Sequence, residues 1–316
     1  MKPIEIFTQL LEIIAALAAA PLFLGWINQC RAWLQNRSAP SLWLPYRGIR
    51  KLFHKDAVIA EGASPLFHVA PYVVFSAMVV AAAIIPSMGT GLPFTTAADA
   101  IALVGLLATA RVFLSLAAMD IGTAFGTLGA RREMMVGFLA EPALLMVIFV
   151  ASLISGTTAL PAITENLATQ NLGIYPSLAF TAIAFTMVLL AENARIPIDN
   201  PSTHLELTMI HEAMLLEYSA RHLALMEWAA ALKLFNYACI GFALFIPWGV
   251  STGESGPGAL LASIPLLAAK LAAAGVALAF IETVSAKLRV FRAPEFLAIA
   301  FLFAVLGLLV HLLLGA

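Results

Sequence analysis

The sequence has little charge. Only 11% of its 316 residues are Asp, Glu, Lys or Arg, where a soluble domain carries about a quarter. Hydrophobic residues make up 62%, and mean hydropathy is +0.96. That balance excludes a water-soluble fold and implies an integral membrane protein. Alternating apolar and polar stretches are also lacking, which excludes a membrane β-barrel. Cysteine is scarce. Cys30 and Cys239 stand alone with no CxxC, so neither a disulfide framework nor an iron–sulfur ligand set is expected. The first apolar segment lacks a basic lead into a short core and a clear small-residue cleavage site, so it reads as a retained helix. There is no P-loop, no Gly-rich dinucleotide turn and no Ser/His/Asp arrangement. This chain is therefore expected to bind no cofactor and to catalyse no reaction alone, and no nucleic-acid partner is expected.

What is present is a series of long apolar runs. A spanning helix needs about 20 apolar residues. Eight candidate spans lie at roughly 4–27, 68–86, 98–119, 136–156, 175–192, 228–249, 259–282 and 294–314. The expected fold is all-α, with about eight transmembrane helices in a single membrane domain covering 1–316. Two long polar connections, about 28–67 and 193–227, separate the spans, and the other connections are short.

Lysine and arginine set the orientation. Arg31, Arg37, Arg47, Arg50, Lys51 and Lys55 fall in the first connection, and Arg131 and Arg132 between spans three and four. Arg195 and Arg221 lie between spans five and six, and Lys287, Arg289 and Arg292 between seven and eight. These 13 of 17 basic residues occupy one side of an eight-span arrangement, and the opposite loops near 87–97, 157–174 and 250–258 have none. Both termini are expected to be extracytoplasmic. The first connection mixes its basic residues with Trp33, Leu34, Leu42, Trp43, Leu52 and Phe53. It reads as one or two amphipathic helices at the cytoplasmic interface, anchored to headgroups or docking a partner. Arg37, Arg47, Arg50 and Lys51 are the docking candidates.

Ionisable side chains within spans are costly and usually line polar pathways. Arg111 is near the middle of span three, with Asp120 nine residues on, and Glu141 followed by Pro142 opens span four. Glu192 closes span five, Glu227 and Lys233 open span six, and Lys270 and Glu282 share span seven. For Glu12, Asp99, Glu227 and Glu282, snorkelling to the interface is the competing reading. Glu141, Glu192, Lys233 and Lys270 are candidates for a proton path, because buried carboxylates and amines have pKa values drawn toward neutrality.

Residues 192–212, ENARIPIDNPSTHLELTMIHE, concentrate titratable groups after an uncharged run. Asn200 and Pro201 suit an N-cap and first helical position, so a helix is expected from about 201 to 218. On it Glu206 and Glu217, 11 residues apart, share a face with Ile210 and Ala213. Glu192, Asp199, Glu206 and Glu217 then form a line of carboxylates, and the competing reading is a capped helix with a solvated face. Metal binding is not expected. HEAML at 211–215 fails HExxH, and His204 and His211 are too far apart to share an ion.

AENARIPIDNPSTHLEL, with LLEYS after it, resembles the signature of the complex I subunit 1 family. QNRSAPSLWLPYRGIRKLF and SPLFHVAPYVVF are similar to that family's segments around its first two helices. GARREMMVGFLAEPALL and SAKLRVFRAPEFL are closer to the membrane subunits of group 4 [NiFe]-hydrogenases. The resemblance covers essentially the whole chain. It implies an eight-helix subunit that joins a cytoplasmic redox arm to antiporter-like membrane subunits in a bacterial or archaeal plasma membrane. It also implies hydrogenase large and small subunits and an iron–sulfur subunit as partners, which carry the iron–sulfur clusters and nickel–iron centre. By motif match, Glu141, Glu192, Asp199, Glu206 and Glu217 line a coupling channel, with Arg195 as their ion-pair partner and Arg111 as further support. Ser202 and His204 stand where complex I proteins usually have acids. About three extra residues also separate Glu206 from Glu217. Both departures favour the hydrogenase branch over a quinone-chamber subunit. A stand-alone transporter is the third reading; it predicts inverted repeats and broken helices, which the sequence lacks.

Overall fold

The computed structural model describes residues 3–60, 62–93, 99–169, 175–199, 209–251, 257–289 and 292–314. Among these, the regular structure is helical: α1 (Pro3–Leu34), α2 (Leu44–Phe53), α3 (Pro65–Ile84), α4 (Ala100–Asp120), α5 (Ala124–Ser155), α6 (Leu160–Thr169), α7 (Pro176–Glu192), α8 (His211–Leu215), α9 (Ala220–Phe245), α10 (Pro257–Val284) and α11 (Ala293–Leu314). Seven helices, α1, α3, α4, α5, α9, α10 and α11, are long and apolar enough to cross a membrane. The eighth expected span is α7, apolar but only 17 residues long. The chain is an all-α, multi-pass membrane protein.

Helix ends follow local chemistry. Ser64 Oγ accepts from Leu66 N at 3.1 Å and starts α3, while its own N–H donates to Asp120 at 2.8 Å. Asp99 caps α4 by accepting from Ile101 N and Ala102 N. The α7 helix stops at Glu192. Asn193 Nδ2 donates to Leu189 O, and the backbone turns through Ala194 at φ +50°.

Several boundaries differ from the sequence reading. The α5 helix starts at Ala124, not near 136, so Arg131, Arg132 and Glu133 are helical. At 32 residues it is ~48 Å long, well beyond the ~30 Å hydrocarbon core. Its first turns therefore reach past the hydrocarbon or the helix is tilted. The connection expected at 157–174 contains α6. The helix expected over 201–218 is α8 alone among the described residues, and 200–208, with Glu206, lie outside them. Tyr218 and Ser219 explain its early end. Tyr218 stacks on Phe67 with centroids 4.0 Å apart, and its hydroxyl donates to Phe67 O at 3.1 Å. Burial and the Asp120 carboxylate push the Tyr218 phenol above its ordinary value, so it stays a donor. Ser219 exchanges hydrogen bonds with the backbone of Val58, at 2.9 and 2.6 Å. Those contacts hold 218–219 out of helical geometry.

The helices α3, α4, α5, α7 and α9 pack around a shared interior. The α11 helix packs against α7 and α5, and α10 packs against α1 on the far side of α9. Small residues such as Ala110, Ala140, Ala184 and Ala229 line the close contacts, as expected where backbones must approach in an apolar medium. One end of the bundle gathers the α1 C-terminus, α2, the α3 N-terminus and α8. Its amphipathic α2 turns Ile49 inward, sets Phe53 against the Trp228 ring, and anchors Tyr46 to Ala18 O. At the opposite end, Glu12 accepts from Met88 N and Gly89 N at 2.7 and 2.8 Å. There Ser251 also bonds the backbone of Met88 and Thr90.

Candidate functional site

The shared interior holds an ionic cluster built on Arg111. Its guanidinium, contributed by α4, contacts Glu141 on α5 and Glu192 at the end of α7, and its Nε lies 3.7 Å from Glu133 Oε1 on α5. Lys233 on α9 places Nζ 2.9 Å from Glu192 Oε2. His211, the first residue of α8, puts Nδ1 3.5 Å from Glu133 Oε2. Arg111, Glu133 and Glu192 are almost fully buried, while the Glu141 side chain is 34% exposed.

The local sequence explains the convergence. Glu133, Gly137 and Glu141 recur every fourth residue and form one stripe on α5. A Cβ at Gly137 would stand 2.8 Å from Arg111 Cδ and 3.0 Å from its Cζ. Glycine there leaves space for the guanidinium between the two carboxylates. Burying an ion is expensive unless its partners come with it, and Arg111 is surrounded on three sides by acids.

Two cations, Arg111 and Lys233, face three carboxylates, Glu133, Glu141 and Glu192, so the cluster carries one excess negative charge when His211 is neutral. One added proton, on His211 or a carboxylate, balances it. Beside the cluster is a cavity of about 30 Å³ lined by Arg111, Glu133, His211, Lys233 and apolar side chains. A water needs about 10–15 Å³ and polar partners, and this space offers both.

Residues 8–313 match the sequence model of the NADH dehydrogenase family, the complex I subunit 1-like proteins. The chain belongs to this family. It is 36% identical to hydrogenase-4 component C of Escherichia coli over 241 residues, covering 76% of this chain and 75% of that one. It is 31% identical to formate hydrogenlyase subunit 4 of Escherichia coli over 298 residues, covering 94% and 96%. Its fold is similar to a chain in the membrane-bound sulfane sulfur reductase, an archaeal respiratory membrane complex. The TM-score there is 0.81 at 21% identity, covering 96% of this chain and 99% of the other. The kinship read from the motifs is therefore shown.

Within this family member, the structure brings together Arg111, Glu141, Glu192 and Lys233 from the sequence-derived set. Asp199 lies near the cluster, not in it. One of its oxygens accepts from Ile210 N and His211 N at 3.2 and 3.3 Å, and the other faces Lys287 Nζ at 3.3 Å. Glu217 is half-buried in the turn after α8, and Glu206 lies outside the described residues. Arg195, expected beside the channel acids, pairs with Glu282 on α10 at 3.0 Å, and Arg31 reaches the same carboxylate at 3.5 Å. Burial lowers the Arg195 pKa from its ordinary value, and Glu282 opposes that. The chain turns after α7, and this directs Arg195 to α10 and leaves Arg111 as the hub. Lys270 stands apart too. Its ammonium donates to Ile246 O and Trp248 O, both at 2.7 Å, beyond the C-terminus of α9. Those carbonyls are ~20 Å along α9 from Lys233. Arg37, Arg47, Arg50 and Lys51 are exposed, the last three on one face of α2 with His54.

Sequence reasoning missed Glu133 and His211. Glu133 lies before the span expected from 136, and the E-x3-G-x3-E spacing is the signal that places it on α5. His211 opens HEAML, which fails HExxH, and its carboxylate partner comes from a distant helix. Among the described residues, no group of three or more His, Cys, Asp or Glu side chains is arranged to hold a metal ion.

Proposed function

We propose that this chain is the membrane-anchoring and proton-path subunit of a complex I-like respiratory assembly. In this reading it forms one membrane domain. It couples a cytoplasmic [NiFe]-hydrogenase-type redox arm to antiporter-like, ion-translocating membrane subunits. The iron–sulfur clusters and nickel–iron centre sit on partner subunits, and the host membrane is a bacterial or archaeal plasma membrane.

The observation that carries the reading is Arg111 collecting Glu133, Glu141 and Glu192 inside a bundle of spanning helices. Such a buried cluster, one proton short of neutrality, takes up and returns a proton with little rearrangement. Glu141 supplies the more exposed edge, Glu192 and Lys233 the buried pair, and His211 the link toward α8. The two Escherichia coli relatives, a hydrogenase component and a formate hydrogenlyase subunit by name, support the hydrogenase branch. The cationic stripe Arg47, Arg50 and Lys51 on α2, with Arg37 nearby, supports docking of an acidic surface of the redox arm.

The test is to substitute Glu141→Gln and Glu192→Gln and follow proton movement driven by redox turnover in inverted membrane vesicles. Both variants are expected to lose most of the proton signal. Wild-type proton movement in both would sink the reading. A second reading, a quinone-chamber subunit, is favoured by the NADH dehydrogenase family match itself. Quinone retained by the purified complex would decide for it.

A further inference from the structure

The first turn of α8 is held from two directions. From α5, Arg132 Nη1 donates to Met209 O at 2.8 Å. From the connection after α7, Asp199 Oδ2 accepts from Ile210 N and His211 N. The other oxygen of Asp199 faces Lys287, in the segment that follows α10. The last turn of α10 and the segment after it grip the same connection twice more. Arg195 pairs with Glu282 at 3.0 Å, and Leu288 N donates to Pro197 O at 2.8 Å. A continuous set of contacts therefore runs from Lys287 through Asp199 and His211 to Glu133, and so to Arg111.

The two ends of this set differ in exposure. The Lys287 side chain is 22% exposed and Asp199 only 6%. A change at the more exposed lysine is thus felt by a buried carboxylate. Without its ammonium, Asp199 loses the cation that faces one of its oxygens, and its other oxygen holds the amides of 210 and 211 less firmly. Arg132 keeps Met209 in place, so the loosening is confined to α8 and the His211 ring it carries.

We propose that the tail of α10, residues 282–288, is a positioning element for the buried cluster, with Lys287 acting through Asp199 to fix His211 against Glu133. The tail lies at the end of the bundle where α2 also sits, so a subunit docked on that face can shift it. The geometry stands by itself, while its consequence for proton movement rests on the function proposed above.

Hydrogen exchange of the intact complex in lipid nanodiscs tests it, comparing Lys287→Met, Lys287→Arg and Asp199→Ala with wild type. In Lys287→Met and Asp199→Ala, amides of 210–215 are expected to exchange about tenfold faster, the effect of losing a charge-assisted acceptor locally. Amides of α11 should not change, and Lys287→Arg should restore wild-type protection. Wild-type exchange in Lys287→Met overturns the proposal, whatever Asp199→Ala does. So does Lys287→Arg behaving like Lys287→Met, because the charge would then be irrelevant. If exchange responds as expected but Glu192→Gln still moves protons normally, the positioning role stands and the proton-path reading fails.

Discussion

Arg111 is the residue on which the account turns, and its surroundings make specific demands. Gly137→Ala puts a methyl group where the guanidinium lies. The expected outcome is a displaced Arg111, loss of proton movement and a lower thermal midpoint of the detergent-solubilised protein. Gly105→Ala on α4, where no atom lies within 4 Å of the new Cβ, serves as the control and should leave both unchanged. Arg111→Met leaves three carboxylates without their shared cation. Breaking a buried ion pair from one side costs about 3–5 kcal/mol, so little folded protein should accumulate in the membrane, as measured by quantitative immunoblot. At this scale the sequence was partly legible. Arg111, Glu141, Glu192 and Lys233 were visible because charge inside an apolar run is conspicuous. Glu133 is hidden because it follows Arg131 and Arg132, which mark the connection expected between spans three and four.

The spanning helices were legible as elements because their hydrophobic runs are long and their ends carry charge. The connection after α7 was not. Asn200 and Pro201, as N-cap and first helical residue, suggest a helix to 218, but the end of α8 is decided by partners far away in sequence. Tyr218 is held by Phe67 and Ser219 by Val58, and no local pattern announces either contact. Tyr218→Phe removes one hydrogen bond and retains the stack, so a loss of about 1 kcal/mol is expected, readable as a small drop in thermal midpoint. Ser219→Ala removes both bonds to Val58 and should also free the segment before α3, seen as faster proteolysis there. On α2, replacing Arg47, Arg50 and Lys51 together with Gln leaves Ile49 and Tyr46 packed. The subunit should still insert, while recovery of the cytoplasmic partners in affinity purification falls several-fold.

The whole molecule was the most legible scale. Eight expected spans correspond to seven long helices and the shorter α7, and the family follows from motifs spread along the chain. The basic residues also predict an orientation: both termini outside and the α2 end in the cytoplasm. Tags at both termini should be cut by protease in spheroplasts and protected in inverted vesicles. Opposite accessibility of the two tags would mean an odd number of crossings.

The most direct measurement of the central claim is infrared difference spectroscopy of the purified complex between its reduced and oxidised states. The account predicts a protonated-carboxyl band that changes with redox state, and that is lost or shifted in Glu192→Gln and Glu141→Gln. A band that is absent in wild type, or that persists unaltered in both variants, would contradict the claim that the Arg111 cluster exchanges a proton during turnover.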